Sequence, residues 1–222
     1  CALPISGVEC QVLEGAPLGT IVEYATANAV DLIVLGTHGR SGLERVMLGS
    51  VTERVLRKSP CPVLTVPPRT PDAVPTGAIS YGRIVCGVDF SASSQRAVAY
   101  AAALARDAQV QLTLVHVVEA LPIFEPVPMG GPGVAEVQQM AMDAARGSLA
   151  KMVAAEFKDG LRPVEVVLSG KPYRELLRVA GEAHADLVVL GAHSGPAGIL
   201  AFGSTLNHVV RQAACPVLTV RA

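Results

Sequence analysis

Apolar positions along this chain keep two rhythms that alternate, short β-rich or continuous runs and longer stretches spaced by three and four. Val8–Leu13 is a short β-rich run and predicts a strand. Pro17 then opens a helix whose Ile21, Val22, Ala25 and Ala29 share a face. Leu32–Leu35 is continuously apolar, the pattern of a strand buried on both sides of a parallel sheet. A glycine-bearing loop follows, then a helix from about Ser50 to Lys58, stopped by Pro60, and a closing strand Cys61–Val66. Residues 67–82 hold Pro67, Pro68, Pro71, Pro75, Gly77 and Gly82 and read as a linker. Beyond it the pattern predicts strand Arg83–Val88, helix Ser93–Arg106, strand Gln109–Val118, a Pro- and Gly-rich loop over 119–133 and helix Val134–Phe157. Segments 163–168, 172–184, 187–190, 204–212 and 216–220 then continue as strand, helix, strand, helix, strand.

The end of that series repeats the first part of the chain. Cys61-Pro62-Val63-Leu64-Thr65-Val66 recurs letter for letter as Cys215-Pro216-Val217-Leu218-Thr219-Val220. Asp31-Leu32-Ile33-Val34-Leu35-Gly36 recurs as Asp186-Leu187-Val188-Val189-Leu190-Gly191. The offset is 155 residues up to Gly36/Gly191 and 154 from Gly49/Gly203 onward, so one residue is missing from the second loop. The expectation is a tandem repeat: 1–66 as the later half of a first domain, 67–82 as linker, and 83–222 as a complete second domain. Strands alternating with helices imply an α/β fold, a doubly wound parallel sheet with helices on both faces. Ligands in such sheets lie beyond the carboxyl ends of the strands, where the strand order reverses. That directs attention to the segments after Val88, Val118 and Leu190.

Composition narrows the partners. Half of the 222 residues are hydrophobic and 17% are charged, which suits a sheet covered on both faces and excludes a disordered chain. A net charge of −1 without a basic block gives no reason to expect nucleic acid or membrane as partner. The five cysteines form neither a C-x-x-C pair nor a metal-ligand spacing, and fit reduced thiols in a cytoplasmic protein. Cys61 and Cys215 open apolar strands, where cysteine acts as a small core residue. Cys1–Ser6 has no counterpart later in the chain and resembles translated sequencing adaptor, so it is expected not to be native.

The chemistry concentrates in the loops. Gly36-Thr37-His38-Gly39-Arg40-Ser41-Gly42 is followed by Gly49-Ser50-Val51 at a helix start, where unpaired N–H groups favour a phosphate. The same spacing also serves a tight strand-to-helix connection that binds nothing. Asp89, at the end of the strand that contains Gly87, can accept hydrogen bonds from a ribose or an adenine amine, or cap the next helix in competition with Ser91, Ser93 and Ser94. His38 and His193 have no Ser, Cys or carboxylate fixed beside them, so no triad can be argued. His116 and His184 read as structural, and His208 as a helix residue without a partner.

The spacing G-x2-G-x9-G-[S/T] after a buried strand, closed by C-P-V-L-x-V, resembles the ATP-binding loop of universal stress proteins, and Gly36, Gly39, Gly49 and Ser50 match it without a gap. Val85-Cys86-Gly87-Val88-Asp89 and Leu114-Val115-His116-Val117 are similar to the first two strands of that family. The resemblance implies strand order 3-2-1-4-5 in a five-stranded sheet, adenosine contacts from Asp89 and Val117, and phosphates on the glycine loop. It further implies ATP, with or without Mg2+, as cofactor, and stress or signalling function exerted through conformation and partner choice. In the second loop Gly191 and Gly203-Ser204-Thr205 match, but Ser194 stands where the motif has glycine, and Pro196 lacks an N–H. The first domain begins only at its third strand, so it has no Asp partner, and Val8–Leu13 has no strand beside it. No general base or metal site is evident, so at most slow hydrolysis or autophosphorylation is implied. The closing strands 61–66 and 215–220 are expected at sheet edges, able to pair within one chain as a pseudo-dimer or between chains as a homodimer. The competing function is a module of the same fold that pairs and docks partners without a nucleotide.

Overall fold

The structure, a computed structural model, describes residues 7–37, 48–68, 82–119, 133–158, 160–192 and 203–221. Cys1–Ser6, Gly39, Ser194, His38 and His193 lie outside them. In chain order the elements are α1 (Pro17–Ala27), β1 (Ile33–Gly36), α2 (Ser50–Lys58), β2 (Val63–Val66), β3 (Arg83–Val88), α3 (Ala92–Ala108) and β4 (Gln111–Val118). They continue with α4 (Val134–Glu156), β5 (Val164–Ser169), α5 (Pro172–Glu182), β6 (Leu187–Ala192), α6 (Ser204–Gln212) and β7 (Val217–Arg221).

Positions at the repeat offset carry the same backbone. Helices α1 and α5 both start on a proline and end in a left-handed residue, Ala29 and His184, each at φ 48°. In each case the next N–H reaches back over the helix end, Val30 N to Ala25 O at 2.9 Å and Ala185 N to Ala180 O at 2.8 Å. Helices α2 and α6 are both 9 residues long and are entered through glycines of matching conformation, Gly49 (φ −57°, ψ 134°) and Gly203 (φ −53°, ψ 143°).

The strands form one seven-stranded sheet in the order β1-β2-β7-β6-β3-β4-β5. Every neighbouring pair is parallel except β2 and β7, which run antiparallel. The sheet has seven strands instead of the expected five, with β5, β4, β3, β6 and β7 in the expected order 3-2-1-4-5. It goes on through β2 and β1 because the closing strands, expected at edges, pair with each other within the chain, one of the two pairings expected for them. Strands 61–66 and 215–220 lie inside the sheet because they satisfy each other's backbone groups. Leu64 pairs with Leu218, its own repeat counterpart, while Val63 faces Thr219 and Thr65 faces Val217. A register that sends each residue to the mirror position of its counterpart places a local twofold axis through the Leu64–Leu218 pair.

Side chains alternate across the sheet. Ile33, Val63, Val85, Val115, Val188 and Val217 pack under α1, α2, α5 and α6. Ile84, Cys86, Leu112, Leu114, Val189 and Leu218 pack under α3 and α4. Helix α3 can lie close because its inner face is small, with Ala97, Ala101, Ala102 and Ala105 fully buried. Residues 7–14, where a strand was expected, form none, and Val12 is 98% exposed. Among the described residues no strand pairs with residues 7–14, and a short run without a partner makes no ladder.

Candidate functional site

Strands β3, β4 and β6 end side by side, and beyond their carboxyl ends lies a cavity of about 350 Å³. This is where the chain leaves β3 toward β4 on one side and β6 lies on the other, the reversal point at which doubly wound sheets hold ligands. Val115, Val117, Leu190, Leu176 and Leu206 give it an apolar floor, and Pro172 closes one side. Polar groups sit at its margin: Asp89, Ser94 and Glu119 after the strands, and Gly203-Ser204-Thr205 at the start of α6. Among the described residues that line it there is no Lys or Arg.

Asp89 stands in a tight turn. Its Oδ1 accepts from Ser91 N at 3.0 Å and from Ser91 Oγ at 2.5 Å. Capping of α3 falls to Ser91, whose Oγ accepts from Ser94 N at 3.2 Å. Asp89 therefore braces the turn ahead of the helix, and it lines the cavity. Phe90 takes φ 63°, an uncommon conformation for a bulky residue, and its ring lies 4.5 Å from that of His116. His116 Nδ1 is 2.8 Å from Val88 O, and because a carbonyl only accepts, Nδ1 donates. His116 is structural: it ties β4 to the end of β3 and supports the turn that presents Asp89.

Two of the three glycines that line the cavity, Gly191 and Gly87, serve packing. A Cβ on Gly191 would lie 2.6 Å from the backbone of Ser93 and Ser94, so only glycine lets the start of α3 cross the end of β6. A Cβ on Gly87 would meet Leu190 at 2.5 Å and Leu176 at 3.2 Å, the side chains of the cavity floor. At α6, Ser204 and Thr205 bring hydroxyls and first-turn N–H groups that no carbonyl of the helix can satisfy.

Of the residues singled out from sequence, Gly87, Asp89, Val117, Gly191, Gly203, Ser204 and Thr205 meet at this cavity. Gly36, Gly49, Ser50 and Val51 do not line it. Gly49 N donates to Thr37 O at 2.9 Å, and Gly36 O accepts from Thr52 Oγ1 at 2.9 Å. Leu176 and Leu206 were not anticipated, whereas Glu119 opens the segment after Val118 to which the strand pattern points, and Ser94 was considered only as a cap. His208, expected to be without a partner, stacks on Tyr173 at 4.2 Å.

Cysteine chemistry plays no part at the cavity. Burial pushes the Cys86 thiol far up, and the nearby Asp89 carboxylate adds to the shift. Among the described residues no group of three or more His, Cys, Asp or Glu side chains could hold a metal ion.

Residues 1–67 and 80–221 match the sequence model of the universal stress protein family. The chain belongs to that family. A universal stress protein of Mycobacterium tuberculosis is 33% identical over 218 residues, which is 96% of this chain and 69% of that relative. One from Methanocaldococcus jannaschii is 52% identical over 59 residues, 27% of this chain and 35% of its own length. Among solved structures, a universal stress protein from Archaeoglobus fulgidus superposes with a TM-score of 0.63 at 23% identity, over 92% of this chain and 66% of that one. A universal stress protein family member from Burkholderia pseudomallei gives 0.52 at 25% identity, using 66% of this chain and 100% of its own. No helix among the described residues is long and apolar enough to cross a membrane.

Proposed function

We propose that the cavity at the ends of β3, β4 and β6 binds an adenine nucleotide, and that occupancy biases the protein's conformation and its choice of partner in a stress or signalling role in the cytoplasm. The observation that carries this reading is the convergence, at one reversal point, of an apolar floor, the Asp89 carboxylate and the start of α6. An adenine ring fits between Val117 and Leu190, Asp89 can accept from a ribose hydroxyl or a base amine, and a phosphate fits the free N–H groups of Gly203-Ser204-Thr205. ATP, with or without Mg2+, is the family's implied ligand. In this layout 83–222 is a complete domain that carries the site, 67–82 a linker, and 1–66 the later half of a preceding domain.

A second reading is favoured by the β2–β7 ladder: the two halves act as a pairing module, and the cavity is incidental. Calorimetric titration of the full chain with adenosine, AMP and ATP separates the two. Heat with at least one of them, reduced by about tenfold or more in affinity in Asp89→Ala, supports adenine binding, since a hydrogen bond to a charged group is worth roughly that factor. Heat that survives Asp89→Ala unchanged, or none with any ligand, leaves the pairing module.

A further inference from the structure

The charge around the cavity bears on how much phosphate its ligand can carry. The ionisable side chains among its described lining residues are Asp89 and Glu119, one after β3 and one after β4, and both are exposed carboxylates. The side where a phosphate would sit offers neutral donors only, the hydroxyls and first N–H groups of Ser204 and Thr205, with no cation in the first turn of α6. The basic residues beside Pro172, Lys171 and Arg174, do not line the cavity, and Arg174 Nε donates to Tyr173 Oη at 3.1 Å. Sequence carries the contrast further. From Ala192 to Thr205 there is no Lys or Arg, whereas the counterpart stretch from Thr37 to Val51 holds Arg40 and Arg45.

Each added phosphate brings negative charge toward two carboxylates, with no cation among the described lining residues to offset it, and like charges repel more strongly where protein displaces water. A helix start contributes only about half a unit positive charge, which a single phosphate already outweighs, so each further phosphate adds negative charge that it does not balance. Building on the adenine reading, we infer that this cavity prefers adenosine carrying no more than one phosphate, the nucleoside or its monoester, over the diphosphate and triphosphate.

The test is calorimetry on the full chain at low salt in EDTA, with adenosine, AMP, ADP and ATP as probes. ATP should bind about fivefold or more weaker than AMP, with ADP between them. Glu119→Gln should narrow the AMP–ATP gap by about threefold, and Glu119→Lys should close or invert it. Raising salt from roughly 20 mM to 0.15 M should narrow the gap in the unaltered chain, because the screening length falls to about 8 Å. Affinity for ATP in EDTA equal to or above that for AMP overturns the inference and leaves the adenine reading standing. A gap that neither the Glu119 variants nor salt alters also overturns it. Absence of binding by all four probes overturns both.

Discussion

Residues 7–66 and 83–221 share a strand–loop–helix–strand segment, yet only the second copy borders the cavity. The local structures match: α2 and α6 have equal length and the same entry conformation. Their neighbours differ. Strand β6 lies between β7 and β3, and its end forms a wall with β3 and β4, whereas β1 is flanked by β2 alone among the described strands. The helices differ at one telling position. Thr52 ties α2 to the last carbonyl of β1 through its 2.9 Å bond to Gly36 O, and its counterpart Leu206 lines the cavity floor. A glycine-bearing bend before a helix supplies N–H groups in both copies, but a binding site also needs the walls that strands β3 and β4 bring. Motif spacing is a local property; a pocket is a tertiary one.

The largest expected effect comes from pressing on the close approach found in one copy. Gly191→Ala places a methyl group 2.6 Å from the α3 backbone, which no side-chain rotation can relieve, and should destabilise the protein by about 3 kcal/mol. Gly203→Ala, where nothing among the described residues lies within 4 Å, and Gly49→Ala, whose nearest contact among them is Thr37 O at 3.4 Å, should each cost less than about 1 kcal/mol. Urea unfolding of the three variants checks this. Equal midpoints for Gly191→Ala and Gly49→Ala would remove the packing account of Gly191.

How far this contrast could be read in advance depends on the range of the forces involved. Helix Ser50–Lys58 and strand Arg83–Val88 were legible to the residue, because Pro60 and a nearly continuous apolar run act within a few residues. The site residues Asp89, Val117 and Gly203-Ser204-Thr205 were legible through spacing and family resemblance, and the cavity brings them together. Pairing of the repeated closing strands was legible too, but not which of its two forms, within the chain or between chains, since that depends on mutual fit over a separation that local pattern does not reach. The β-rich run Val8–Leu13, expected to have no strand beside it, makes no ladder, because β propensity alone does not form one. Leu176 and Leu206 reach the floor from two helices, and Tyr173 meets His208 across the same pair, juxtapositions that only the packed fold creates.

A smaller effect should break the twofold match at the β2–β7 ladder. Thr65 and Thr219 are repeat counterparts, both buried, and the axis would give each a main-chain acceptor on the opposite strand. Thr65 Oγ1 donates to Val217 O at 3.1 Å, while Thr219 Oγ1 has no partner among the described residues. Thr65→Val should therefore cost about 1 kcal/mol, and Thr219→Val should be neutral or stabilising by up to about 1 kcal/mol, because an unsatisfied buried hydroxyl is removed. Urea midpoints that shift equally and in the same direction would show the two hydroxyls to be equivalent in solution.

The smallest effect separates the two identical closing strands by their cysteines. Burial, reinforced by Asp186, pushes the Cys215 thiol up to about 11. A thiol raised in the folded state stays neutral there while the unfolded chain ionises first. The folded state thus keeps its full stability below pH 9 and loses it progressively as pH climbs toward 11. Cys86, buried and raised as well, pulls in the same direction. Cys215→Ala should flatten part of that alkaline decline, leaving the stability at pH 7 less pH-sensitive relative to pH 10 than in the parent chain. Urea midpoints at the two pH values, with Cys61→Ala as the comparison, measure the difference; an alkaline decline that Cys215→Ala leaves untouched would mean that its thiol is as readily ionised in the fold as outside it.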